Sequence, residues 1–249
     1  MSDQNEKSIP PHWLQRTELL IGGEALDRFR HLNILIIGLG GVGSYAAEFL
    51  TRAGVGKMTI VDGDTVDLTN TNRQLPALHS TVGTPKTEVM ARRMRDINPD
   101  LELRVIQQFL DPEAVQELIT PEFDYVFDCI DSIQPKQYLI VACKQKGVRV
   151  ISSMGAGGRL DPSKVQVADI SKTYNCPFAQ QMRKGLRRKG VKGGVTAVFS
   201  SELVDKNTCM LTDGSNFKRS FYGTISYIPA LFGLYMASVV IRETAAKQP

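Results

Sequence analysis

The residues best suited to chemistry are a glycine turn, Gly38-Leu-Gly40-Gly41-Val-Gly43, and the charges that follow it: Asp62, Asp64, Arg73, Lys86 and Asp131. An apolar run feeding a G-x-G-x-x-G turn reads as the start of a nucleotide-binding βαβ unit. Gly38 permits the tight turn, Gly40 lets the backbone approach a phosphate, and Gly43 lets the helix pack on the strand. Asp62 stands where a second strand ends, placed to accept hydrogen bonds from a ribose. Alone, this pattern serves NAD, FAD and other ligands and suggests hydride transfer. Hydride transfer, however, has little use for an arginine and a lysine converging on the phosphate turn. Cleavage of ATP does, because cations on phosphate oxygens stabilise the charge that develops in the transition state. Lys86 opens a helix after Pro85, so a helix N-terminus adds to the positive field. Asp131 follows Asp128 at the C-terminal end of a predicted parallel strand, the edge where ligands bind in open α/β sheets. A carboxylate there suits a Mg²⁺ ion bridging phosphates.

These residues need a frame. Nearly continuous apolar strands are expected at Asn33–Ile37, Lys57–Val61, Glu102–Ile106, Tyr125–Asp128 and Arg149–Ser152. Helical patterns lie between them at Ser44–Ala53, Lys86–Ile97, Pro112–Ile119 and Gln134–Lys146. The alternation predicts an α/β, Rossmann-like, doubly wound and mostly parallel sheet. A first helix is expected over Thr17–Phe29, capped by Thr17, with Leu19, Leu20, Leu26 and Phe29 as its apolar stripe. The second half predicts strands at Val165–Ile170, Val195–Ser200 and Thr208–Leu211 and a basic helix at Pro177–Arg188, an α+β C-terminal extension of the sheet. Residues 1–15 read as a flexible arm and residues 16–249 as one domain.

Composition adds bounds. Hydrophobic content of 42% and charged content of 22% suit a globular protein with a sizeable core. The net charge of +4 permits an anionic partner without requiring one. The four cysteines form no C-x-x-C pair, which argues against a zinc ribbon. Cys129, Cys143 and Cys209 fall in apolar settings and read as core, and Cys176 reads as a packing thiol. The polar N-terminus lacks an apolar signal core, so a cytoplasmic location is expected. Residues 225–241 are apolar and uncharged but contain Pro229 and Gly233. They read as a buried core helix rather than a membrane span.

Five motifs occur in order: Gly-x-Gly-Gly-x-Gly, Val-Asp62-x-Asp64, Thr-Asn70-x-Asn-Arg73-Gln74, Gly-x-x-Lys86 and Asp131. Together they resemble the E1-like (ThiF/MoeB/HesA) adenylating family, which activates a carboxylate as an acyl-adenylate. The second-half motifs Ser-Met-Gly155-Ala-Gly157-Gly-x-x-Asp161-Pro162, Val167-x-Asp169-Ile-Ser-Lys172-Thr173 and Val198-Phe-Ser200-x-Glu202 resemble its tRNA threonylcarbamoyladenosine dehydratase branch. The resemblance implies ATP and Mg²⁺ as cofactors and a tRNA carrying threonylcarbamoyladenosine at position 37 as substrate. It implies a homodimer, and it allows a monovalent cation and sulfur-transfer partner proteins.

By the same resemblance Gly41 belongs to the nucleotide loop and Asp62 meets the ribose. Asn70, Arg73 and Gln74 approach the phosphates, Arg73 as an arginine finger from the partner subunit. Lys86 binds phosphate and Asp131 holds Mg²⁺. The chain departs from the wider family at Asp131-Ser132, where Asp-Asn is usual, and at Lys136, where Arg is usual. An activator of a ubiquitin-like sulfur carrier is the main alternative, weakened by the missing C-x-x-C pairs. A nucleotide-binding or redox scaffold is the third. The run Arg183-Lys184-Gly-Leu-Arg187-Arg188-Lys189-Gly-Val-Lys192 holds six cations and no acid. It reads either as a solvated helix face or as a tRNA phosphate contact.

Overall fold

Apolar runs dictate the sheet. In β1 (Asn33–Ile37) every residue after Asn33 is buried, and the side chains alternate between two cores. Ile34 and Ile36 enter one; Leu35 and Ile37 enter the other. A strand buried on both faces requires helices on both sides of the sheet. The computed structural model, which describes residues 11–211 and 220–246, shows that arrangement.

The seven strands lie in the order β3 (Glu102–Ile106), β2 (Lys57–Val61), β1, β4 (Tyr125–Asp128), β5 (Arg149–Ser153), β7 (Thr196–Ser200) and β6 (Val165–Asp169). All neighbours are parallel except β6, which runs antiparallel to β7. Chain order reverses between β1 and β4, which makes a topological switch point. One face carries α2 (Gly23–His31), α3 (Gly43–Arg52), α4 (Lys86–Ile97) and α8 (Tyr227–Ala246). The other carries α5 (Pro112–Leu118), α6 (Ile133–Gln145) and α7 (Pro177–Arg188).

The apolar C-terminal segment is a core helix. By length and composition α8 could cross a membrane, but Ile228, Phe232, Met236 and Val240 are all 0% exposed. It lies unusually close to α3. A Cβ on Gly233 would stand 2.4 Å from the Val42 carbonyl oxygen and 2.9 Å from the Ala46 nitrogen. Only glycine lets the two backbones meet there.

Several expectations need correction. The helix over Thr17–Phe29 is two helices, α1 (Gln15–Ile21) and α2, separated at Gly22, whose φ is +84°. Thr17 lies inside α1 rather than capping it. Leu19 and Leu20 are 83% and 84% exposed and do not share the buried stripe of Leu26 and Phe29. Of the expected arm, residues 1–10 lie outside the described residues, while His12–Leu14 form a 3₁₀ turn that buries Leu14 and Gln15 opens α1. The strand near Thr208–Leu211 does not extend the main sheet. β8 (Cys209–Leu211) pairs with β9 (Ser220–Tyr222) in a separate two-stranded ribbon. The antiparallel β6 already occupies that edge of the main sheet, and Cys209 is only half-buried rather than core.

Candidate active site

The glycine turn sits at the switch point, against the loop that follows β4. Gly38 has φ +91°, and a Cβ there would lie 2.9 Å from the Cys129 carbonyl oxygen. A Cβ on Gly43 would overlap the carbonyl oxygen of Gly38 at 1.8 Å. A Cβ on Gly41 would press on Pro229 of α8 at 2.9 Å and on the Arg73 carbonyl oxygen at 3.2 Å. The turn is therefore enclosed by β4, by α8 and by the Arg73 segment. Because α3 begins at Gly43, the positive end of its dipole faces the same volume.

Asp62 ties the turn to the end of β2. Its carboxylate accepts from the backbone N–H of Leu39 (2.6 Å) and of Asp64 (2.8 Å). Burial pushes this carboxyl above its ordinary value, while the Leu39 N–H, the Lys86 charge and the Asp64 N–H pull the other way. Asp64 in turn pairs with Lys86, Nζ to Oδ2 at 2.9 Å, with the lysine side chain only 6% exposed. The backbone fixes that pair: Lys86 N donates to the Asp64 carbonyl at 3.1 Å and Val66 N to that of Thr84 at 2.8 Å. Lys86 is the first residue of α4. The helix is held against α3 by Glu48, which accepts from Arg93 of α4 at 2.7 and 2.9 Å and from Arg52 at 2.7 Å. Burial alone would raise the Glu48 carboxyl; the hydrogen bonds from Arg93 and Arg52 bring it below its ordinary value.

The segment from Asp67 to Gln74 folds over the turn. Asp67 caps its first coil through Thr69 N (2.8 Å), and the Asn70 side chain accepts from Asp67 N (3.3 Å). Arg73 donates to the Thr69 carbonyl (2.9 Å) and to Asn72 Oδ1 (2.8 Å). Burial draws its guanidinium below its usual value, and the charge of the Asp131 carboxylate opposes that shift. The Gln74 side chain lies over Gly40, its Nε2 3.6 Å from where a Cβ would be. Its Oε1 is buried without a partner, an acceptor left for a ligand in the cradle. The glycine turn, Asp62, Asp64, Asn70, Arg73, Gln74, Lys86 and Asp131 thus line one edge of the sheet.

Behind Asp131 lies a network that the sequence does not reveal. Asp128, the last residue of β4, and Lys136 of α6 are both 0% exposed and form an ion pair at 2.8 Å. Ser152 on β5, the register partner of Asp128, donates to the same carboxylate at 2.7 Å. Lys136 Nζ also donates to the Asp128 carbonyl (3.1 Å) and the Ser152 hydroxyl (3.3 Å). Burial pushes the Asp128 carboxyl up, and Lys136 and Ser152 pull it back. The triad meets no solvent; it positions the start of the loop that carries Asp131. The lysine that departs from the usual family arginine is thus fully satisfied here.

The match to a known family covers residues 14–248. The chain belongs to the ThiF family. This ThiF-family protein is 45% identical over 239 residues to a Bacillus subtilis relative named tRNA threonylcarbamoyladenosine dehydratase, spanning 93% of this chain and 94% of that one. It is 39% identical to the Escherichia coli protein of the same name, over 96% and 97% of the two chains. The crystal structure of the Escherichia coli dehydratase in complex with ATP matches with a TM-score of 0.84 at 37% identity, covering 96% of this chain and 97% of that one.

The remaining features of this ThiF-family chain divide sharply. Cys176 is only 4% exposed, at the start of α7, and does not present a thiol nucleophile. Burial pushes the Cys143 thiol up to about 12, and all four cysteines are free. Among the described residues no group of three His, Cys, Asp or Glu side chains could hold a metal ion. In α7, Ala179, Met182 and Leu186 are buried and the cations lie on the other face. Arg183 is committed to the Thr173 hydroxyl. Lys184, Arg188 and Lys189 line a groove of about 540 Å³ with Ile133, Gln137 and Gln181, and Lys189 stacks 4.6 Å above the Tyr138 ring. Arg187 and Arg188 point away from the core in the same turn.

Proposed function

We propose that this chain is an ATP-dependent tRNA threonylcarbamoyladenosine dehydratase. The observation that carries the reading is the glycine turn enclosed by Arg73, Gln74 and the Asp131 loop, in a chain similar along nearly its whole length to dehydratases of that name. The threonylcarbamoyl carboxylate attacks the α-phosphorus of ATP, pyrophosphate leaves, and an acyl-adenylate forms. The ureido group of the same nucleotide then attacks the acyl carbon, expels AMP and closes the ring with net loss of water. Arg73 and Lys86 stabilise charge on the phosphates, and the amide-rich turn and the α3 N-terminus hold them. Asp62 orients the ribose while keeping the turn closed through Leu39 N. Asp131 holds Mg²⁺, which neutralises phosphate charge when bound.

Purified protein with ATP, Mg²⁺ and threonylcarbamoyl-modified tRNA is expected to give the cyclic nucleoside, AMP and pyrophosphate in equal amounts. ATP turnover without cyclic nucleoside in the mass spectrum would count against this substrate. The sulfur-carrier alternative loses support from the buried Cys176 and the missing C-x-x-C pairs.

The basic groove is the tRNA-binding surface in this reading, since clustered cations beside a polyanion's site bind phosphate and release counterions. Replacing Lys184 and Arg188 by Gln is expected to weaken tRNA binding and flatten its log–log salt dependence by roughly one unit for each phosphate no longer neutralised. Anisotropy titrations over a salt series measure this, and an unchanged slope would return the groove to a solvated surface. We further take the protein to act as a cytoplasmic homodimer. The exposed Leu19–Leu20 pair on α1 and the free cysteines support this. A monomeric mass in sedimentation, or recovery outside the cytosolic fraction, would contradict it.

A further inference from the structure

Arg159 is a buried cation that forms no ion pair among the described residues. Its side chain is only 2% exposed, and its Nε and Nη1 are buried with no hydrogen-bond partner. A guanidinium presents five N–H donors in a planar fork, and burying it unpaired costs far more than burying a neutral group. The acids bonded to the residues that follow it, Glu202 and Asp161, are already engaged. Glu202 accepts from Leu160 N (3.1 and 3.0 Å) and Asp161 N (2.9 Å). Asp161 accepts from Ser163 N (2.9 Å) and Oγ (2.6 Å). Burial raises the nearby Tyr222 phenol, and the Arg159 charge opposes that shift.

Its position is next to the active site. Arg159 ends the glycine-rich loop that leaves β5. Gly158 N donates to the Gly223 carbonyl at 2.8 Å, and a Cβ on Gly157 would meet Tyr222 at 2.9 Å and Thr224 at 3.3 Å. The Thr224 carbonyl in turn accepts from Asn72 at 3.0 Å, one residue before Arg73. Residues 222–224 thus lie between this loop and the segment that folds over the ATP turn, touching both. The ATP phosphates already have Lys86 and Arg73, which leaves this fork for another anion.

We propose that Arg159 receives an oxyanion of the tRNA substrate, either the carboxylate of its threonylcarbamoyl group or a backbone phosphate. A planar fork matches either group in two parallel hydrogen bonds, and the dry setting makes such bonds strong. The inference rests on the function proposed above. Arg159→Met, with Arg159→Lys as the variant that keeps charge but loses the fork, tests it. Both are assayed for melting temperature, oligomeric mass, ATP affinity by calorimetry, and affinity for tRNA with and without the modification.

Arg159→Met is expected to melt at or above wild type, because an unpaired buried charge is gone, and to bind modified tRNA about 10-fold to 100-fold more weakly with ATP affinity unchanged. If unmodified tRNA binds both proteins equally, the anion is the carboxylate; if it weakens in parallel, the anion is a phosphate. Unchanged tRNA affinity, weakened ATP binding, a lower melting temperature or a lost oligomer overturns the proposal. Should Arg159→Met not fold, the same comparison is read from Arg159→Lys. Wild-type protein that fails to cyclise modified tRNA sinks the functional reading itself, whatever Arg159 does.

Discussion

Arg73→Ala and Asp131→Ala are each expected to lower the rate of acyl-adenylate formation by about 10²–10³-fold while leaving the fold intact. Arg73 is held by Thr69 and Asn72, and the Asp131 charge acts on it. Its guanidinium is already oriented and partly stripped of water, so it stabilises transferring phosphate charge without reorganising at the moment of reaction. Asp131 is exposed at the sheet edge, where its removal opens no cavity. Circular dichroism and melting temperature should stay near wild type, and the loss should appear in kcat more than in KM for ATP. Pyrophosphate exchange measures the step directly. Near-normal exchange in both variants would move the catalytic site elsewhere.

The second large effect is on stability. Asp128→Asn or Lys136→Met alone leaves an uncompensated charge in a site with no solvent, which is expected to cost about 3–5 kcal/mol. The double variant removes both charges and is expected to recover most of that loss, so the two changes are strongly non-additive. Urea unfolding of the two single variants and the double variant closes the cycle. Additive losses would mean that the 2.8 Å pair contributes no coupling. Ser152→Ala should fall between, since one hydroxyl donor to Asp128 is removed while the ion pair stays.

Much of this is legible from residue order because it depends on local pattern. The strands of the parallel sheet announce themselves as uniform apolar runs, for a strand covered on both faces cannot alternate. Pro85 places Lys86 at the head of a helix, and α4 begins there. The expected 17–29 helix misleads because Leu19 and Leu20 fit a helical stripe, whereas among the described residues no element covers them; periodicity says which residues share a face and not whether the face is packed. The Asp128–Ser152 contact depends on the register of β4 against β5, which no local pattern encodes. Arg159 is inconspicuous inside a glycine-rich motif because what distinguishes it is a missing partner, and only three-dimensional surroundings can show that.

The close seat of α8 has a consequence for how the protein matures. Pro229 and Gly233 press on Gly41 and Val42, so α8 forms a wall of the glycine turn, far earlier in the chain. A chain emerging from the ribosome can assemble β1 to β5 and their helices and still lack that wall. Such contacts, distant in sequence, are closed late because they carry the largest loop-closure cost. The wall of the glycine turn is therefore completed after the sheet that displays the turn.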